Sequence, residues 1–80
     1  MMQPEQIETL IRQGLTCTHL QVAGDGRHFE AVVVSEEFAG KSRIQRHQRV
    51  NQTVKPQLDS GELHALSLKT HTPEEWSARG

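Results

Sequence analysis

A glycine set between two helix signals constrains this chain more than any other feature. Gly40 can take the left-handed backbone conformation that ends a short helix, and Ser42, with Gln45 three residues on, reads as a capping box that opens the next one. Ser35, followed by Glu36 and Glu37, caps the short helix before it. The middle of the chain is therefore a helix, a tight reversal and a longer helix. From Ser42 onward Ile44, Val50, Val54 and Leu58 recur at helical spacing, with His47 on or beside their seam, while Arg43, Arg46 and Arg49 can point away. This predicts one packing face and one basic face. Four of the nine Lys and Arg residues fall between Phe38 and Val50, so the positive charge is local.

The flanks supply the rest of the fold. Pro4 to Gln13 reads as a helix with Ile7, Leu10 and Ile11 on one face, Glu5 and Glu8 near its positive end and Gly14 as its stop. Cys17 to Ala23 alternates as a strand, with Leu20 and Val22 on one side and Cys17, His19 and Gln21 on the other. Gly24-Asp25-Gly26 is a turn cluster and His28 to Ser35 a second strand, so the two form an antiparallel hairpin. The two glycines do not make a phosphate loop, since no helix starts directly after them. Pro56 lacks an amide hydrogen and clashes with the preceding turn, which predicts a break near Lys55 and a last turn through Leu58 before Asp59-Ser60-Gly61. Leu63 to Thr70 is the third strand, with His64, Leu66 and Leu68 on one face. Thr72-Pro73-Glu74-Glu75 is a second capping box, whose short turn lets Trp76 fold back on the core. The class is α+β, in the order α-β-β-α-α-β. A right-handed crossover makes the second and third strands parallel in a three-stranded sheet, with helices on one face.

Eighty residues allow one domain, and with 34% apolar residues and only Phe29, Phe38 and Trp76 as aromatics the core is small. That excludes a large enclosed substrate pocket. The single Cys17 excludes an intramolecular disulfide, and neither a bilayer-spanning apolar run nor a basic-then-apolar start is present, so a cytoplasmic protein is expected. A net charge of −1 argues against a dedicated nucleic-acid binder, which carries a globally basic domain. Cysteine, histidines and acids show no nucleophile–base arrangement, so no catalytic residues are assigned and the chain is not read as an enzyme.

Five histidines are many for this length, but none has a structural zinc spacing with cysteine. The useful pair is His28 and His64. On parallel neighbouring strands both sit at strand starts on the same edge of the sheet, within one or two strand spacings of about 4.8 Å. They are either half of a metal site or two unrelated edge histidines.

The run Phe38, Gly40, Ser42, Arg43, Arg46, His47, Val50, then Leu63-His64-Ala65-Leu66-Ser67-Leu68, then Thr72-Pro73-Glu74-Glu75-Trp76, resembles the BolA family over nearly the whole chain. Because Ala23-Gly24-Asp25-Gly26-Arg27 is compact, the likeness is to the short, IbaG-like branch. The resemblance implies a single domain over residues 1–80 with a class II KH-like fold. It also implies a [2Fe-2S] cluster shared with a monothiol glutaredoxin, whose cysteine and bound glutathione supply the thiolates. The family's histidine in the His-Ala-Leu block maps onto His64. Its second ligand comes from the loop between the first two strands, for which His28 is the nearest candidate and Cys17 a distant one. Two thiolates with two imidazoles is a cluster ligation that raises reduction potential. Alone, such a chain is expected to be a colourless monomer or weak homodimer.

The family name also implies the alternative, a DNA-binding transcriptional regulator that uses its helix-turn-helix and the basic residues Lys41, Arg43, Arg46 and Arg49. Those residues form either a solvated or protein-docking face or a phosphate-contacting surface. A KH module clamps nucleotides with Gly-x-x-Gly, whereas Gly40-Lys41-Ser42-Arg43 carries arginine in place of the second glycine. Duplex recognition does not need that glycine, so weak, salt-sensitive DNA binding is the expectation for this reading.

Overall fold

One strand, paired on both sides, organises the computed structural model, which describes residues 2–79. β2 (His28–Val34) lies between β1 (His19–Gly24), its antiparallel hairpin partner, and β3 (Ala65–His71), which runs parallel to it. The helices are α1 (Pro4–Gly14), α2 (Arg43–Thr53), α3 (Lys55–Ser60) and α4 (Pro73–Ala78), and a single 3-10 turn spans Glu36–Phe38.

Alternation along β2 sends Phe29, Ala31 and Val33 to one face, where they are buried with Leu20 of β1 and backed by Leu66 and Leu68 of β3. Ile7 and Ile11 of α1 and Val50 of α2, with Val54, Phe38 and Leu63, close this core. Local chemistry sets the element ends as expected. Ser42 and Gln45 form the capping box of α2, Thr72 and Glu75 that of α4, and Gly40 makes the reversal at φ +76°. The helix breaks at Val54 (φ −121°, ψ 16°), and Pro56 falls in the first turn of α3, where no amide is required.

The structure corrects the expected faces of α2. Ile44 is 70% exposed and joins no packing face. At about 100° per residue, Ile44 stands roughly 120° round the helix from Val50, whereas Arg46 stands only about 40° from it. Arg46 therefore points along the packing stripe rather than away from it. β1 begins two residues later than expected, because Cys17 turns toward the core and its thiol faces the Leu15 carbonyl at 3.5 Å.

Trp76 does not join the helix-side core. Its ring stacks on His19 (centroids 4.8 Å apart) and lies 5.5 Å from His71, on the opposite face of the sheet. His19 and His71 are the register neighbours of Val34, so the indole covers that fully buried valine. The Arg79 guanidinium carbon is 3.6 Å from the indole centroid. Among the described residues no helix is long and apolar enough to cross a membrane.

Candidate functional site

The parallel register brings His28 and His64 to one end of the sheet. His28 opens β2 opposite Ala65, the first residue of β3, and His64 directly precedes Ala65. The backbones are thus one strand spacing, about 4.8 Å, and one residue apart, and both side chains are exposed. Each histidine is held through its neighbours. Leu63 is buried and its amide donates to the Gln57 carbonyl at 3.0 Å, fixing the chain just before His64. On the other side, Asp25 Oδ1 accepts from the backbone N–H of His28 and of Arg27, both at 2.9 Å. These bonds, the His28 one foremost, hold the Asp25 carboxyl below the usual range. A Cβ on Gly24 would run into the Phe29 ring and the His28 carbonyl, so only glycine lets the hairpin close this tightly.

Cys17 is not brought to this end. β1 is antiparallel to β2 with His19 opposite Val34, which sets Cys17 beyond the far end of β2 from His28. Six residue rises of about 3.3 Å separate those ends by roughly 20 Å. Burial also pushes its thiol pKa up, which disfavours the thiolate a metal would need. Among the described residues no group of three or more His, Cys, Asp or Glu side chains could hold a metal ion. His28 and His64 remain, two exposed residues one register position apart, so alternation along the strands starts their side chains toward opposite faces, and a site using both would lie off the end of the sheet.

The basic residues of α2 divide into two kinds. Arg46, its side chain only 13% exposed, donates to Glu75 at 2.7 and 3.3 Å and to the Lys41 carbonyl at 2.9 Å, over the Phe38 ring. Arg49 donates to the Gly14 carbonyl at 2.6 Å and to Glu37 at 3.2 Å. Both tie α2 to other elements, so of the expected basic face only Lys41 and Arg43 stand free of ion pairs among the described residues. Sequence reasoning missed this because the acceptors lie on distant segments, although the placement of Arg46 four residues before Val50 was a usable signal.

The Arg46–Glu75 pair makes a pH prediction. Hydrogen bonds from Arg46, and then from the Thr72 amide, lower the Glu75 carboxyl to about 2. A carboxylate depressed in the folded state contributes stability that is present above its ordinary pKa of 4.5 and lost as pH falls through about 2. The difference in urea midpoint between the parent and Glu75→Gln, read by Trp76 fluorescence, should therefore narrow across that window. Curves that stay equally far apart at every pH would exclude this role.

The α+β sandwich of a mixed three-stranded sheet and its helix layer defines a BolA-like fold, and the chain belongs to the BolA-like family, whose model matches residues 2–75. Among its relatives, the acid stress protein IbaG of Escherichia coli K12 is 33% identical over 76 residues, covering 95% of this chain and 90% of that one. The DNA-binding transcriptional regulator BolA of Haemophilus influenzae is 41% identical over 61 residues, 76% of this chain and 58% of that one. The solved structure of a BolA homologue from Coxiella burnetii superposes with a TM-score of 0.86 at 38% identity, covering 96% of this chain and 99% of that one.

Proposed function

We propose that this chain is a BolA-like adaptor that shares a [2Fe-2S] cluster with a monothiol glutaredoxin, contributing His64 and His28 as its ligands. The observation that carries this reading is that His28 and His64 stand exposed at one end of two parallel strands, with no third ligand grouped with them among the described residues. Such a half-set suits a site completed by a partner. The partner's cysteine and a glutathione thiolate complete it, and imidazole ligation gives the cluster a higher potential than four thiolates would. This chain's own contribution is to present two imidazoles on a backbone fixed by Asp25 on one side and by Leu63 on the other. Co-expression with a monothiol glutaredoxin should yield a coloured complex whose absorption differs from that of the glutaredoxin alone. A stable but colourless complex, or no complex, would refute the proposal.

The name of the Haemophilus relative favours a second reading, DNA binding through α2. Because Arg46 and Arg49 are engaged within the chain, few cations remain for phosphates. With a slope of about 0.9 per neutralised phosphate, log affinity should fall by only about 2 per decade of salt. Nanomolar binding to one duplex at physiological salt, abolished by Arg43→Ala, would put this reading first.

A further inference from the structure

A groove at the opposite end of β3 from His64 has no part in the cluster reading. It has a volume of about 620 Å³ and is lined on one wall by Lys41, Arg43 and His47 and on the other by the consecutive residues 68–71 of β3. Successive strand residues point to opposite faces, so a groove touching four in a row runs along the strand's edge. Among the described residues that edge is free, because the sheet ends at β3. Backbone donors and acceptors facing away from β2 are thus open to pairing.

The charge of the groove is one-sided. No Asp or Glu lines it, and among the described residues Lys41, Arg43 and Lys69 make no ion pair. Arg46, which also reaches it, is already neutralised by Glu75. Ile44, the one large hydrophobic exposed among the described residues, does not line the groove but stands one helical turn before His47, which does, so its side chain is within reach of a segment lying there. A free strand edge, unpaired cations on both sides of it and an apolar anchor beside it lie together.

We propose that this groove receives an extended acidic segment of a partner protein, which adds to the sheet as a fourth strand beside β3. The main chain of the segment pairs with the β3 edge, its carboxylates meet Lys41 and Arg43 on one face and Lys69 on the other, and an apolar side chain packs on Ile44. The same cations reject other occupants. A second copy of this chain would set Lys69 and its neighbours against their own kind, and a basic strand would be repelled likewise. A nucleic-acid strand has no peptide groups to pair with β3 and finds no aromatic platform, since no aromatic residue other than histidine lines the groove.

The test uses the full isotope-labelled chain and a capped Glu-Glu-Val-Val-Glu-Glu-Val-Val peptide, about the length of an ordinary strand, which carries carboxylates and valines on both faces. Its Lys/Val counterpart and an oligothymidine of similar length, at the same salt, serve as comparisons. The Glu/Val peptide should shift the amides of residues 41–47 and 68–71 and slow hydrogen exchange at the outer edge of β3. Arg43→Glu combined with Lys69→Glu should weaken it by about tenfold or more and make the Lys/Val peptide the better ligand. Ile44→Ala should weaken binding while leaving the charge preference intact. These side chains are exposed, so unchanged amide positions elsewhere would verify folding. His64→Ala should leave peptide binding unaltered, which separates this proposal from the cluster reading. Absence of shifts at millimolar peptide, equal binding of the Lys/Val peptide, shifts centred on His28 and His64, or tighter binding of oligothymidine would each overturn it.

Discussion

If the chain shares a cluster with a monothiol glutaredoxin as proposed, replacing His64 with alanine is expected to remove one of its two nitrogen ligands, while leaving this chain folded and able to meet its partner. The ring is exposed, and the backbone on either side is anchored by buried Leu63 and by the β3 ladder, so the change removes a ligand and little else. Loss of groups that only orient metal ligands costs about 10–100-fold in affinity, and loss of a ligand itself should cost at least the upper end of that range. Visible circular dichroism of the mixed complex, with nitrogen couplings measured on the reduced cluster, reads the effect directly. His28→Ala should produce the same loss if His28 is the second ligand. Cys17→Ser should change nothing, because Cys17 lies beyond the far end of β2 from His28. An unchanged spectrum with His64→Ala removes that residue from the site, and loss with Cys17→Ser alone would move the second ligand to the thiol.

Phe38→Ala should have the largest effect on stability. The ring is fully buried where the 3-10 turn meets α2, and the Arg46 guanidinium stands 5.9 Å from its centroid. Truncating a buried phenylalanine costs about 3–5 kcal/mol. A domain of this length has about 4–12 kcal/mol in total, so the variant should lose at least about a quarter of its stability and unfold at much lower urea than the parent. Ile44→Ala, in the first turn of α2, should stay within about 0.5 kcal/mol, because its side chain already lies in water. Urea titrations followed by Trp76 fluorescence compare the two. Similar losses for both would mean that α2 packs on the face its apolar residues alone suggest.

The legible parts of the fold were those decided by neighbours in sequence. Caps at Ser42 and Thr72, the reversal at Gly40 and the break at Pro56 depend on a few adjacent residues, and each lies where local chemistry puts it. The orientation of α2 was less legible, because hydrophobicity marks a packing face while Arg46 and Arg49 point inward for acceptors on other elements. The same holds for Trp76, whose capping box was plain but whose place across Val34 depends on His19 and His71 arriving from two different strands. For the candidate site, crossover topology was enough to bring His28 and His64 to one end of the sheet. Their one-residue offset, and the distance of Cys17, required the register itself.

The parallel pairing of β2 with β3 also sets an order of assembly. The β1–β2 hairpin closes through a short local turn, and such hairpins form in about 1–10 μs. β3 can join only after the whole α2–α3 crossover has been folded back, a closure whose entropic cost must be met before its contacts form. His28 is therefore in place early and His64 arrives among the last. A chain still emerging from the ribosome, or one that has let β3 fray, holds in place only His28 of the two. Under the cluster-sharing proposal, a partner needing both imidazoles would therefore engage only finished molecules.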